Sequence, residues 1–155
     1  MTPAIETARK QKIVYRLHRY SHDVCNTSWG CEAAEKLDVP AEQVFKTLVV
    51  KLDNGALAVA VVPVSSMLSL KRLAKAAGVK KAVIASPAEV ERSTGYILGG
   101  VSPLGQRKQL VTIIDVSASI QTTVYVSAGR RGLEIELHPD DLKNLVNGTM
   151  ASICQ

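Results

Sequence analysis

The sequence predicts an α+β domain built on a mixed, barrel-like β-sheet with short helices on its flanks. Three observations carry that expectation. Strand-like and helix-like periods are interspersed, about seven of the first and five of the second, without the regular alternation of a doubly wound fold. Neighbouring strand segments are joined by hairpin-type turns, the clearest at Asn54-Gly55. The chain has 155 residues, 46% hydrophobic and 21% charged. That is enough apolar surface for one core, and residues 1–155 read as a single domain.

The elements follow in order. Pro3–Lys12 has a helical pattern with proline near its start, where a missing N–H costs nothing. Ile13–Tyr20 alternates like a strand. Cys31–Val39 is helical, with Trp29-Gly30 read as a break just before it. Val44–Leu52 and Ala56–Val64 are strands on either side of the Asn54-Gly55 turn. Ser69–Gly78 is a helix with a serine cap and a glycine stop. Lys80–Ala85 is a short strand. Ser86–Ser93 opens a helix with Pro87 in its first turn and Glu89 at the capping-box position. Leu110–Val116, Thr122–Ser127 and Leu133–Leu137 are strands, the last two joined by the turn "AGRRG". A helix over His138–Gly148 closes the chain.

Composition excludes several classes. The longest apolar run, Ala56–Val64, is far too short for a membrane helix, which needs roughly 18–20 residues. The first ten residues lack the apolar centre of a secretion signal, and the three cysteines make an odd count. Both predict a cytoplasmic protein without a disulfide framework. The net charge of +5 favours an anionic partner. The basic residues come in pairs (Lys71-Arg72, Lys80-Lys81, Arg107-Lys108, Arg130-Arg131), which fits either a solvated surface or an RNA-backbone footprint. Aromatic residues are only 4%, so a base-stacking platform is not expected.

Three features offer chemistry. The first is Arg92–Lys108, "RSTGYILGGVSPLGQRK", with four of the ten glycines and no charge between Arg92 and Arg107. Gly95-x-x-x-x-Gly100 approaches a phosphate loop, but Val101 stands where the lysine would be needed. What remains is main chain: the loop is either a plain connection or a set of N–H groups that hold a carbonyl oxygen or oxyanion. The second is Lys46, which shares a strand face with Val44, Leu48, Val50 and Leu52. A lysine in an apolar row either has a task or snorkels to water. The third is the cluster His18, His22, Cys25 and Cys31, whose spacing matches no strong zinc pattern. No metal or cofactor is expected, and there is no nucleophile elbow. Residue types and spacing leave two classes open: an enzyme that works through positioning and backbone hydrogen bonds, and an RNA- or protein-binding module without chemistry.

"FKTLVV" (Phe45–Val50), the block 92–108, "TIID" (Thr112–Asp115) and "YVSAGRRGLEIEL" (Tyr125–Leu137) together resemble the YbaK/EbsC family. The similarity runs from the N-terminus almost to the end. Members of this family are related to the editing domain inserted in bacterial prolyl-tRNA synthetases. The resemblance implies a barrel-like α+β fold and removal of cysteine from mischarged Cys-tRNA(Pro). A pocket discriminates only weakly between side chains as similar as proline and cysteine, so a second, editing step is needed. The implied partner is the acceptor end of tRNA, with prolyl-tRNA synthetase as a second; sister editors remove alanine or other small amino acids. The resemblance also implies site residues. Lys46, Gly99, Gly100 and Val101 would be catalytic. Tyr20, Thr47, Pro63, Ser102, Pro103, Ser127, Gly129 and Arg130 would bind substrate. In this family the cysteine thiol of the substrate is thought to attack its own ester carbonyl, which accounts for the lack of an acid–base pair. Phe45 stands where tyrosine is common in the family. Cys25 and Cys31 match no family feature and are expected to be structural.

Overall fold

The computed structural model describes residues 1–23 and 29–155. Helix α1 (Pro3–Lys10) is capped by the Thr2 hydroxyl and precedes strand β1 (Tyr15–Arg19). Helix α2 spans Trp29–Leu37. Strands β2 (Phe45–Leu52) and β3 (Leu57–Pro63) form the expected hairpin. There Gly55 takes φ +86° and its amide donates to the Leu52 carbonyl at 2.9 Å. Helix α3 (Leu70–Ala76), strand β4 (Ala82–Ile84) and helix α4 (Pro87–Thr94) follow. Ser69 caps α3, and the Ser86–Glu89 capping box is complete. Strand β5 (Val111–Asp115) leads through a 3-10 turn (Val116–Ile120) to β6 (Val124–Arg130) and β7 (Leu133–Leu137). Helix α5 (Pro139–Leu145), capped by His138, and strand β8 (Thr149–Ala151) complete the chain.

The fold class is α+β, as expected, but the strands do not close into a barrel. They form two sheets with orders β1-β7-β6 and β4-β2-β3-β5-β8. The first is antiparallel. The second is mixed, because β3–β5 and β5–β8 are parallel pairs reached by crossovers rather than hairpins. One isolated bridge, Val44 to Tyr125, ties the sheets at one corner. Two other expectations shift. Trp29 and Gly30 open α2 rather than breaking the chain before it. Strand β6 also runs past Ser127 to Arg130, because an irregularity in its pairing with β7 is taken up by Gly129 at φ +110°.

Side-chain alternation explains the layers. On β3, Val59 and Val61 point between the sheets, where they meet Phe45, Val49, Val126, Leu133 and Ile135. Ala58, Ala60 and Val62 point the other way, onto Leu73 and Ala74 of α3. A strand buried on both faces reads as the continuous apolar run seen at 56–64. A third cluster packs Ala33 and Ala34 of α2 on Val44 and Tyr125.

Helix α2 is held by a buried acid. Glu32 accepts from the Asp23 amide at 2.9 Å and from Lys36 at 3.1 Å, and it pairs with His22 at 2.7 Å. Burial alone would raise its pKa, but these partners together hold it down at about 2, against an ordinary 4.5. A depressed carboxyl stabilises the fold above its unfolded pKa and stops doing so as the pH falls toward the folded value. Urea unfolding at pH 6 and pH 3 should therefore show a larger acid loss of stability for the natural protein than for Glu32→Gln. Equal losses would contradict this role.

Candidate functional site

Strand β4 is only three residues long and pairs with Val50–Leu52, so among the described residues one edge of β2 carries no strand over Phe45–Leu48. The other edge is paired along its length with β3. A cavity of about 340 Å³ lies along this open stretch. Phe45, Lys46, Thr47 and Leu48 form one wall, Leu98, Gly99 and Val101 a second. Ser127 of β6 and Glu134 of β7 contribute from the other sheet, with Tyr20, Trp29, Cys31 and Val64 around the rest.

The glycine-rich loop is anchored at many points. The amides of Arg107 and Lys108 donate to the carbonyls of Thr94 and Ser93. The Tyr96 hydroxyl donates to the Leu104 carbonyl at 2.7 Å, and Gln106 donates to the Ser102 carbonyl at 3.0 Å. At Gly105 a Cβ would lie 2.6 Å from the Pro3 backbone, so the loop needs glycine to seat on α1. The apex is a tight turn in which the Gly100 amide donates to the Ile97 carbonyl at 3.0 Å. The amides on either side of it, Gly99 and Val101, have no acceptor among the described residues, and both residues line the cavity. A well-anchored loop with two unpaired N–H groups at residues that line a cavity is equipped to hold a carbonyl oxygen or an oxyanion.

The polar side chains add to this. Lys46 forms no salt bridge among the described residues. Thr47 Oγ1 is buried without a hydrogen-bond partner among them. Glu134 is 6% exposed and likewise unpaired, and burial pushes its pKa up to about 8 from an ordinary 4.5. Burial, and then the neighbouring Glu134, push the Tyr20 phenol up to about 12, so it remains a hydrogen-bond donor at neutral pH. Unsatisfied buried polar groups are costly in a fold and concentrate where a ligand satisfies them.

Of the twelve residues given site roles from the sequence, six meet on the cavity wall: Tyr20, Lys46, Thr47, Gly99, Val101 and Ser127. Six others stand behind it or beside it. Gly100 packs on Arg130, where a Cβ would approach the Arg130 Cα to 2.8 Å. Ser102 is fully buried and its hydroxyl accepts from the Leu104 amide. Pro63 pairs with Phe45 at the end of β3. Pro103 faces a separate cleft near α5, and Gly129 packs on Tyr96 and Thr2. In the histidine–cysteine cluster, His18 pairs with Glu136 at 2.8 Å and His22 with Glu32. Cys31 lines the cavity, and Cys25 lies outside the described residues. Among the described residues no three such side chains converge as metal ligands, and no helix is long and apolar enough to cross a membrane.

Sequence reasoning missed Glu134, Trp29 and Leu98. The alternation in "LEIEL" was the available signal for Glu134: it places Glu134 opposite the core-facing Leu133 and Ile135. That face turns out to close the cavity.

Residues 27–145 match the family described as "Aminoacyl-tRNA editing domain". Over 152 residues the chain is 37% identical to "Putative Cys-tRNA(Pro)/Cys-tRNA(Cys) deacylase EbsC" of Enterococcus faecalis, covering 98% of this chain and 92% of that one. It is 30% identical over 111 residues to "Uncharacterized protein YwhH" of Bacillus subtilis, covering 72% and 70%. Among solved structures it is similar to "a putative trans-editing enzyme for prolyl tRNA synthetase", with a TM-score of 0.81, 22% identity and 100% and 99% of the two chains covered. At that identity the shared feature is the fold.

A raised carboxyl pKa favours the fold most below the unfolded value, and that advantage is lost as the pH rises from about 4.5 to about 8. Glu134→Gln should therefore stabilise the protein increasingly across this window, read as a rising difference in urea midpoint. A constant difference would mean that Glu134 is charged at neutral pH.

Proposed function

This chain belongs to the aminoacyl-tRNA editing domain family, and from that premise we propose that it is a free-standing deacylase that removes cysteine from Cys-tRNA(Pro). The observation that carries the reading is the cavity wall at Gly99 and Val101, two residues that line a space of about 340 Å³ and whose amides have no acceptor among the described residues. That volume suits a small aminoacyl group and the sugar that bears it. The ester carbonyl oxygen sits on the two amides. Lys46 holds the ester end or the terminal adenosine, and Tyr20 and Ser127 complete the polar wall. Glu134 and Thr47 Oγ1 receive the substrate's α-ammonium group, whose charge returns Glu134 to its ionised form. Gly100, Ser102, Pro103, Gly129, Arg130 and Pro63 act by setting the wall rather than by touching the ester. The substrate comes from prolyl-tRNA synthetase, which the protein relieves of its cysteine errors.

The reaction then needs no acid–base pair from the protein. The substrate thiol loses its proton, and the thiolate sulfur attacks the carbonyl carbon three bonds away. A C–S bond forms and the C–O bond to the tRNA 3′-oxygen breaks. That oxygen takes up a proton, and a cyclic thiolactone leaves to be opened by water as free cysteine. A free thiol has a pKa of about 8.5, so some thiolate is present at neutral pH. Holding sulfur and carbon in contact supplies up to roughly 7–11 kcal/mol at the ideal limit, and each backbone donor about 3–4 kcal/mol.

Purified protein incubated in parallel with Cys-, Ser- and Ala-tRNA(Pro) should strip the cysteine ester at least tenfold faster than the other two. Equal loss of the serine ester would sink thiol assistance. Preferential loss of the alanine ester would point to a sister editor that activates water, and loss of none to a binding module. In the same assay Lys46→Ala should lower deacylation at least tenfold while its far-UV circular dichroism stays unchanged. Full activity would remove Lys46 from the site.

A further inference from the structure

Arg131 lies outside the cavity wall, yet it touches three parts of the rim. Its Nη2 donates to the Leu98 carbonyl at 2.7 Å. Its guanidinium lies over the Trp29 ring, 4.6 Å from the centroid. Its side chain also fills the space beside Gly99, where a Cβ would fall 2.1 Å from Arg131 Nε. Gly99 takes φ +90°, so this position is closed to other residues by both conformation and contact. The arginine stands in the tight turn between β6 and β7. The next residue, Gly132, accepts from the Tyr20 amide at 3.0 Å, so the base of the side chain is fixed as well.

The decisive point is covalent. The Leu98 carbonyl and the Gly99 N–H belong to one planar trans peptide and point in opposite directions. A donor that fixes the carbonyl therefore fixes the direction of the N–H. A cation on the oxygen also polarises the peptide and strengthens its N–H as a donor. From this geometry we infer that Arg131 is a positioning residue: it orients the Gly99 amide toward the cavity and sharpens it for a developing oxyanion. The inference rests on the deacylase reading above. Lysine cannot replace arginine here, because one ammonium cannot bond Leu98, pack flat on Gly99 and stack on Trp29 together.

The test compares Arg131→Ala and Arg131→Lys with the natural protein in steady-state deacylation of Cys-tRNA(Pro) and in the amide NMR spectrum. A lost oxyanion donor typically costs 100- to 1,000-fold in kcat, and a misdirected one costs part of that. Both variants should lose about 10- to 100-fold in kcat with KM within about threefold. The Gly99 amide nitrogen should shift upfield in both, because the cation on the Leu98 carbonyl is lost or weakened, with the amides of β3 unchanged. A rise in KM alone would overturn the inference and make Arg131 a contact to tRNA. So would full kcat in Arg131→Lys. If the natural protein cleaves no aminoacyl-tRNA, the deacylase reading falls. The amide spectrum then decides on Arg131: an upfield-shifted Gly99 nitrogen supports its hold on the peptide, and an unmoved one overturns it.

Discussion

The architecture depends on one inequality: β2 is paired along its length on one edge and for only three residues on the other. Had β4 continued, a strand would occupy the space along Phe45–Leu48 and there would be no cavity. The two sheets touch at the Val44–Tyr125 bridge and share a core farther along. Residues from both sheets can therefore face one another across the open stretch of β2. An unpaired strand edge is usually a liability for association. Here Leu98, Gly99 and Val101 of the glycine loop, Trp29 and Cys31 of α2, and Ser127 and Glu134 of β6 and β7 line the space along it, and this turns the liability into a recess.

The glycines of the loop serve that covering. Gly100 allows the loop to lie against the Arg130 backbone, Gly105 allows it to lie against α1, and Gly99 leaves room for Arg131. Each close approach fixes one part of a segment that carries no charge of its own. The result is a rigid main-chain surface, which is what a site that works through amide donors requires. The ionisable groups are arranged to match. Glu134 is kept neutral by burial at neutral pH, and Lys46 has no carboxylate partner among the described residues. Both are available to a ligand, and the chain's net charge of +5 favours a polyanionic one.

Much of the fold was legible because it is encoded locally. The caps at Ser69 and Ser86 and the hairpin at Asn54-Gly55 are short-range devices, and each appears where its residues stand. The parallel pairing of β3 with β5 was not legible. It depends on a crossover through α3, β4 and α4, and no local residue specifies which strand β5 will meet. The same limit explains the open sheets: which strand edges meet is decided by long-range packing, and nothing in Lys80–Ala85 declares that β4 pairs over only Ala82–Ile84. At the site, Lys46 was visible as a charge in an apolar row. Glu134 was not, because an acid in an alternating strand reads as a solvent-facing residue, and only the tertiary fold buries it on the cavity wall beside Tyr20, Trp29 and Cys31. Arg131 was hidden by its neighbour Arg130: the sequence offers two adjacent arginines, and only the turn geometry selects the one that reaches the loop.

The central claim is that this cavity holds the ester end of an aminoacyl-tRNA through main-chain donors. The most direct measurement is a titration of isotope-labelled protein with a cysteinyl adenosine in which a stable amide replaces the ester, followed by amide NMR. The account predicts the largest downfield shifts at Gly99 and Val101, with smaller ones at Thr47 and Ser127 and none on the α3 face. Saturable binding that leaves the Gly99 and Val101 amides unmoved would contradict it.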